Sequence, residues 1–204
     1  MDKRKPVIFL SASMPNKEKN LKFFETADFI AIRDAVVALV NALIPHYCLV
    51  WGGHPAITPI IHEIFRKRNF SYNDYISVYQ SEIFVGQMPQ ENFDFDNIII
   101  TDAVRLDNGA IDKDKSLALM RKRMLTDNPI YASVFIGGMK GVLEEFELVK
   151  KYAPKAKIFP IASTGAAARF LYDKLLEEDY ALDDNLLTNY CYASLFDKLL
   201  ADKR

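Results

Sequence analysis

Short apolar runs that end in small residues and lead into helix-patterned segments recur along the whole chain, and this alternation restricts the fold more than any other feature. The runs occupy residues 7–10, 47–51, 75–79, 97–102, 130–136 and 156–161. Each is rich in β-branched and aromatic side chains and bounded by turn formers, as expected of strands buried on both faces. Between them lie segments with apolar residues at three- and four-residue steps, such as Ile32, Val36, Leu39, Val40 and Leu43, ended by Pro45. Strands alternating with helices favour crossovers into a parallel sheet. The expectation is a three-layer α/β fold, a Rossmann-like doubly wound sheet that is mostly parallel with about six strands, forming a single domain over residues 1–204.

Composition narrows the function classes. With a formal net charge of −1 and a pI near 6.3, the chain lacks the basic footprint of a nucleic-acid or anionic-membrane binder. The basic start, Met1 to Pro6, precedes an apolar run too short for a signal segment, and no run approaches the ~18 residues of a membrane helix. Two distant cysteines, Cys48 and Cys191, sit among apolar residues and predict reduced, mostly buried thiols. A cytoplasmic protein is expected. His, Cys and carboxylates are not spaced as metal ligands, and neither a metal nor a cofactor is expected.

The candidate site residues lie where strands end. In Val134-Phe-Ile-Gly-Gly-Met-Lys-Gly-Val-Leu-Glu-Glu-Phe146 an apolar run breaks at Gly137-Gly138, passes Met139, Lys140 and Gly141, and enters a helix carrying Glu144 and Glu145. Strand, glycine turn and helix start is a phosphate-cradling order, because glycine lets the backbone approach the ligand and free N–H groups point at the anion. Leu49-Val-Trp-Gly-Gly-His-Pro-Ala-Ile-Thr-Pro-Ile-Ile61 repeats the design, with Gly52, Gly53 and His54 at its turn. His54 reads either as a ligand-facing polar group or as a turn residue.

Ser11 and Ser13 follow the first strand, and Gln80-Ser81-Glu82 follow the third. Asp102, at the end of the fourth, can accept ribose hydroxyls or close its own turn. Ser163, Thr164 and Gly165 follow the sixth, where Ser163 or Thr164 can cap the next helix. A final amphipathic helix is expected over residues 189–200. Loops of this kind would emerge together at the carboxyl ends of the strands, where open α/β sheets bind ligands.

Familiar signatures fail. The chain has neither Gly-x-x-x-x-Gly-Lys-Ser/Thr nor Gly-x-Gly-x-x-Gly after its first strand, and Ser163-Thr-Gly165 lacks the first glycine and the histidine partner of a nucleophile elbow. An ATPase, a standard NAD dehydrogenase and a serine hydrolase are therefore not expected.

Arg121-Lys122, then an apolar strand, then Gly137-Gly138-Met-Lys-Gly141-Val-Leu-Glu-Glu145 resembles the SLOG superfamily. That group includes the LOG-type phosphoribohydrolases, the DNA-processing protein A family and nucleotide-sensing prokaryotic domains. The LOG pattern is an Arg-Lys pair on a helix, followed by Pro-Gly-Gly-x-Gly-Thr-x-x-Glu after the next strand. The loop from Gly52 to Pro59 further resembles a sensor- or defence-type subgroup. This chain departs from the LOG pattern in having Ile136 for the proline, one extra residue between Gly138 and Gly141, and Val142 for the threonine.

Carried over by position, the resemblance implies Arg121 and Glu145 as catalytic arginine and glutamate, with Glu144 the rival. It implies a nucleotide-like small molecule as ligand and, through pairing helices beside the site, a homodimer. The leading expectation is binding of a nucleotide or nucleotide-derived signal such as ADP-ribose, NAD or AMP. The alternative is N-glycosidic hydrolysis of a nucleoside monophosphate or related nucleotide.

Overall fold

The computed structural model describes residues 5–68, 75–95 and 97–203. Met1 to Arg4 of the basic start lie outside them. Six parallel strands form one sheet: β1 (Val7–Ser13), β2 (Cys48–Trp51), β3 (Ile76–Ser81), β4 (Ile98–Thr101), β5 (Ile130–Gly137) and β6 (Lys157–Ile161). Their spatial order is β4-β3-β2-β1-β5-β6. The chain builds outward from β1 to β4 and then returns to place β5 on the other side of β1. This reversal is the topological switch point, and it opens a crevice between diverging connections.

Side chains of β1 alternate between two cores. Ile8 and Leu10 join the cluster under α2 (Phe29–Leu43), α3 (Thr58–Arg68) and α8 (Tyr192–Leu199). Val7 and Phe9 join the cluster under α4 (Lys113–Thr126), α5 (Lys140–Tyr152) and α6 (Ala166–Glu177). That split explains why the strand reads as a continuous apolar run: each face meets a helix layer. Pro160 is tolerated in β6 because that strand is an edge of the sheet, paired on one side to β5.

Several expectations need correcting. β1 continues through Ser11 to Ser13, because Ser11 pairs with Phe135 and Ser13 with Gly137; the two serines belong to the strand rather than to a loop. The segment from residue 17 to 28, which the sequence leaves as either irregular or a short helix, does contain one, α1 (Leu21–Glu25), capped by the Asn20 side chain. The connection between β3 and β4, whose sequence over residues 83–95 reads as irregular, forms two 3-10 turns, Glu82–Gln87 and Gln90–Asp94. The final helix starts later than residue 189, at Tyr192, and a separate short helix, α7 (Asn185–Thr188), precedes it. Asn189 ends α7 in an extended conformation, and its side chain accepts from Cys191 N–H.

Neither Ser163 nor Thr164 caps α6; Gly165 occupies that position and no side chain serves the cap. Neither cysteine is in a disulfide, but Cys191 is exposed and Cys48 only partly buried, since Cys191 lies on the surface turn before α8. Among the described residues no helix is long and apolar enough to cross a membrane, and no group of three or more ligand-type side chains could hold a metal.

Candidate functional site

At the carboxyl ends of β1, β2, β3 and β5 the connections surround a cavity of about 450 Å³. Small-molecule sites span roughly 300–1,000 Å³, so a nucleotide-sized ligand is within its capacity. Ser13, Gly52, Gly53, His54, Arg121, Met139, Gly141 and Glu145 all line it. Grooves of 520 and 660 Å³ elsewhere lie between α2 and α8 and at the opposite ends of the strands. Neither gathers the strand-end loops.

The wall nearest α5 is built around Arg121. Its Nε donates to Glu145 Oε1 at 3.2 Å and its Nη1 to Glu144 Oε2 at 2.8 Å. The other Glu145 oxygen accepts from Ser11 Oγ at 2.5 Å. Helix α4 supplies the arginine, α5 the carboxylates and β1 the serine, so three elements converge on one carboxyl group. The sequence brings them together because Glu145 lies in the second turn of α5, facing β1, while Arg121 projects from α4 alongside.

Arg121 and Glu145 keep only 16 % and 17 % of their side-chain exposure, whereas Glu144 keeps 42 % and also meets Lys140. The two glutamates differ accordingly. Burial pushes the Glu145 pKa up, against the pull of Arg121 and Ser11. For Glu144 burial also pushes upward, but Lys140 and Arg121 outweigh it and the net direction is down.

The glycine loop before α5 is not itself the open donor array that its sequence suggests. Gly138 N–H donates to Ser13 O at 2.9 Å, and Gly137 N–H donates to Thr164 Oγ1 at 2.9 Å. Thr164 in turn donates to Ile161 O at 2.6 Å, tying the end of β6 to the end of β5. The N–H groups left for a ligand are those of Lys140 and Gly141, which as the first residues of α5 have no intrahelical acceptor.

The second loop is anchored the other way round. Gln80 Nε2 donates to both Gly52 O and Gly53 O at 2.9 Å, which fixes the turn and uses both amide hydrogens. Gly53 has φ of +62°, and a Cβ there would lie 2.4 Å from Gln80 Nε2. His54 is half-buried on the cavity wall, and its Nδ1 accepts from Ala56 N–H at 3.2 Å, leaving Nε2 as the protonated nitrogen of the neutral ring. Burial, assisted by the Lys19 charge, lowers its pKa to about 4. The imidazole is neutral at pH 7.

Not every candidate reaches the cavity. Gly137 and Gly138 are not among its lining residues, and Lys140 points to solvent with 84 % side-chain exposure. Ser163 and Thr164 are buried behind the loop, where Ser163 meets Asn189 O and Tyr192 OH, and Gly165 packs against Thr26. Asp102 is exposed beyond β4, the outer strand. The cavity also recruits residues without a sequence signal: Lys19 from the turn before α1, Leu117 and Met120 from α4, and Phe84, Gln87, Met88 and Pro89 from the 3-10 segment. The run 82–89 has neither helical nor strand period, so only its position after a strand end hinted at the site.

Fold and crevice define a Rossmann-like domain with a ligand-sized cavity at its switch point. The family model described as SLOG cluster3 matches residues 22–200. The chain belongs to that family, and membership supports a nucleotide-related role. Among solved structures it is similar to the X-ray structure of TM1055, a Northeast Structural Genomics Consortium target, with a TM-score of 0.58 and 12 % identity. The match covers 95 % of this chain and 99 % of that one, and at such identity it carries the fold alone. No curated protein matches the sequence.

Proposed function

We propose that the chain binds a nucleotide or nucleotide-derived signal, of the AMP, NAD or ADP-ribose class, in the crevice at the switch point. The observation that carries this reading is the convergence of both glycine loops and a largely buried, hydrogen-bonded carboxyl on one cavity of about 450 Å³. Glu145 and Ser13 suit ribose hydroxyls. Phe84, Met88, Leu117 and Met120 offer an apolar wall for a base. Calorimetry against AMP, NAD, ADP-ribose and cyclic ADP-ribose isomers tests it. Saturable binding of at least one is expected, and no heat from any of them at millimolar concentration would remove the reading.

A second reading has its own support. A carboxyl with a raised pKa on the cavity wall is suited to general acid–base work, so N-glycosidic cleavage of a nucleoside monophosphate is the enzymatic alternative. Chromatographic detection of free base from AMP or NAD checks it. Turnover lost in Glu145→Gln would support hydrolysis; turnover unchanged in that variant would take Glu145 out of the chemistry.

A further inference from the structure

A guanidinium on the wall of a nucleotide-sized crevice is a natural phosphate clamp, but the surroundings of Arg121 argue against that role. Its guanidinium sits between Glu144 and Glu145 at 2.8 and 3.2 Å, so its charge is already balanced by two carboxylates. An incoming phosphate would meet those carboxylates as well as the arginine, and like charges at short range oppose it. Of the cavity-lining residues only one other carries a positive charge, Lys19. Among the described residues no carboxylate lies in ion-pair contact with it, and it lines the same cavity as His54, whose pKa is lowered first by burial and then by the Lys19 charge.

Resting on the reading of the crevice as a nucleotide site, we infer that Lys19 holds the ligand's phosphate. The anion then lies at the mouth beside the His54 Nε2–H, while Arg121 orients Glu145 toward the sugar. The cavity thus has an anion end and a carboxylate end, with the two cations doing different work. Lys19 is an exposed side chain on a turn whose backbone is held by Asn16, so replacing it leaves the fold intact. The same feature suits capture of an arriving ligand: an unpaired ammonium at an open mouth attracts anions with little desolvation.

Two probes separate this inference from the reading beneath it. Inorganic phosphate is titrated into wild-type protein and Lys19→Gln while the His54 imidazole is followed by NMR. A saturable His54 shift is expected in wild type, weakened about tenfold or more in Lys19→Gln and retained in Lys19→Arg. An equal response in wild type and Lys19→Gln, or no response of His54 in either, would overturn the assignment. Calorimetry of AMP against adenosine then reads the nucleotide. Lys19→Gln is expected to weaken AMP and leave adenosine unchanged. Equal weakening of both would also overturn a phosphate role for Lys19. A phosphate response without binding of any nucleotide would leave Lys19 as an anion site and remove the nucleotide reading instead.

Discussion

The two glycine pairs, Gly52–Gly53 and Gly137–Gly138, look alike in sequence, each ending a strand and preceding a helix, yet the structure uses them oppositely. The first pair is held through its carbonyls, both of which accept from Gln80 Nε2. The second is held through its amides, which donate to Ser13 O and Thr164 Oγ1. Neither pair presents a fan of free N–H groups. One positions His54; the other positions the start of α5 and, a turn later, Glu145. A glycine pair after a strand therefore marks where a site is built, without stating which of its atoms meet the ligand.

The largest effect that separates the loops is backbone strain. Gly138 has φ of +86°, and a Cβ there would come within 2.2 Å of Val142 Cγ2 on α5, a side chain buried with no room to move. Gly138→Ala should cost about 3 kcal/mol or more in urea unfolding. Gly53→Ala meets the end of the Gln80 side chain instead, so its expected cost is smaller, roughly 2 kcal/mol. Equal costs would show that the two turns are anchored alike.

Next in size is the ion cluster of the second loop. Arg121→Ala leaves Glu145 in a largely buried place without its cation, and should lower stability by roughly 2–3 kcal/mol near pH 7. Glu145→Gln should be close to neutral there. The sign follows from the raised pKa: the folded state holds the Glu145 proton more tightly than the unfolded chain. Stability therefore falls as pH rises from the ordinary glutamate value through the raised one, and the glutamine variant escapes that loss. Unfolding curves of the two proteins between pH 4 and 8 would check the divergence; parallel curves would show that Glu145 titrates normally.

The first loop has the opposite pH signature. His54 is lowered to about 4, so the unfolded chain binds its proton at higher pH than the folded one. Its contribution is fully present above about pH 6.5 and is lost as pH falls from there toward 4. An NMR titration should place the midpoint near 4, and Lys19→Gln should move it up by a fraction of a unit, the smallest effect in the series. A midpoint at the ordinary histidine value would show the ring to be solvated.

Much of this was legible in the chain. All six strands follow from apolar runs bounded by turn formers, because each is buried between two helix layers. The cluster of Arg121, Glu144 and Glu145 followed from motif resemblance. The rest depended on contacts between distant segments. Ser11 and Ser13 read as a loop because nothing local reveals their pairing with Phe135 and Gly137. Thr164 read as a cap, although its hydroxyl serves the neighbouring strand end. Lys19 lies in a polar stretch without period, and only the folded chain brings it to the same cavity as His54.

The central claim is that the crevice at the switch point, between the two glycine loops, is the ligand site. It is tested most directly by backbone-amide NMR during titration with AMP and ADP-ribose. Saturable shifts are expected at Ser13, Gly52, His54 and the residues from Met139 to Gly141, with the groove between α2 and α8 unmoved. Shifts confined to that groove around Asn41 and Ala193, or none at any ligand concentration, would contradict the account.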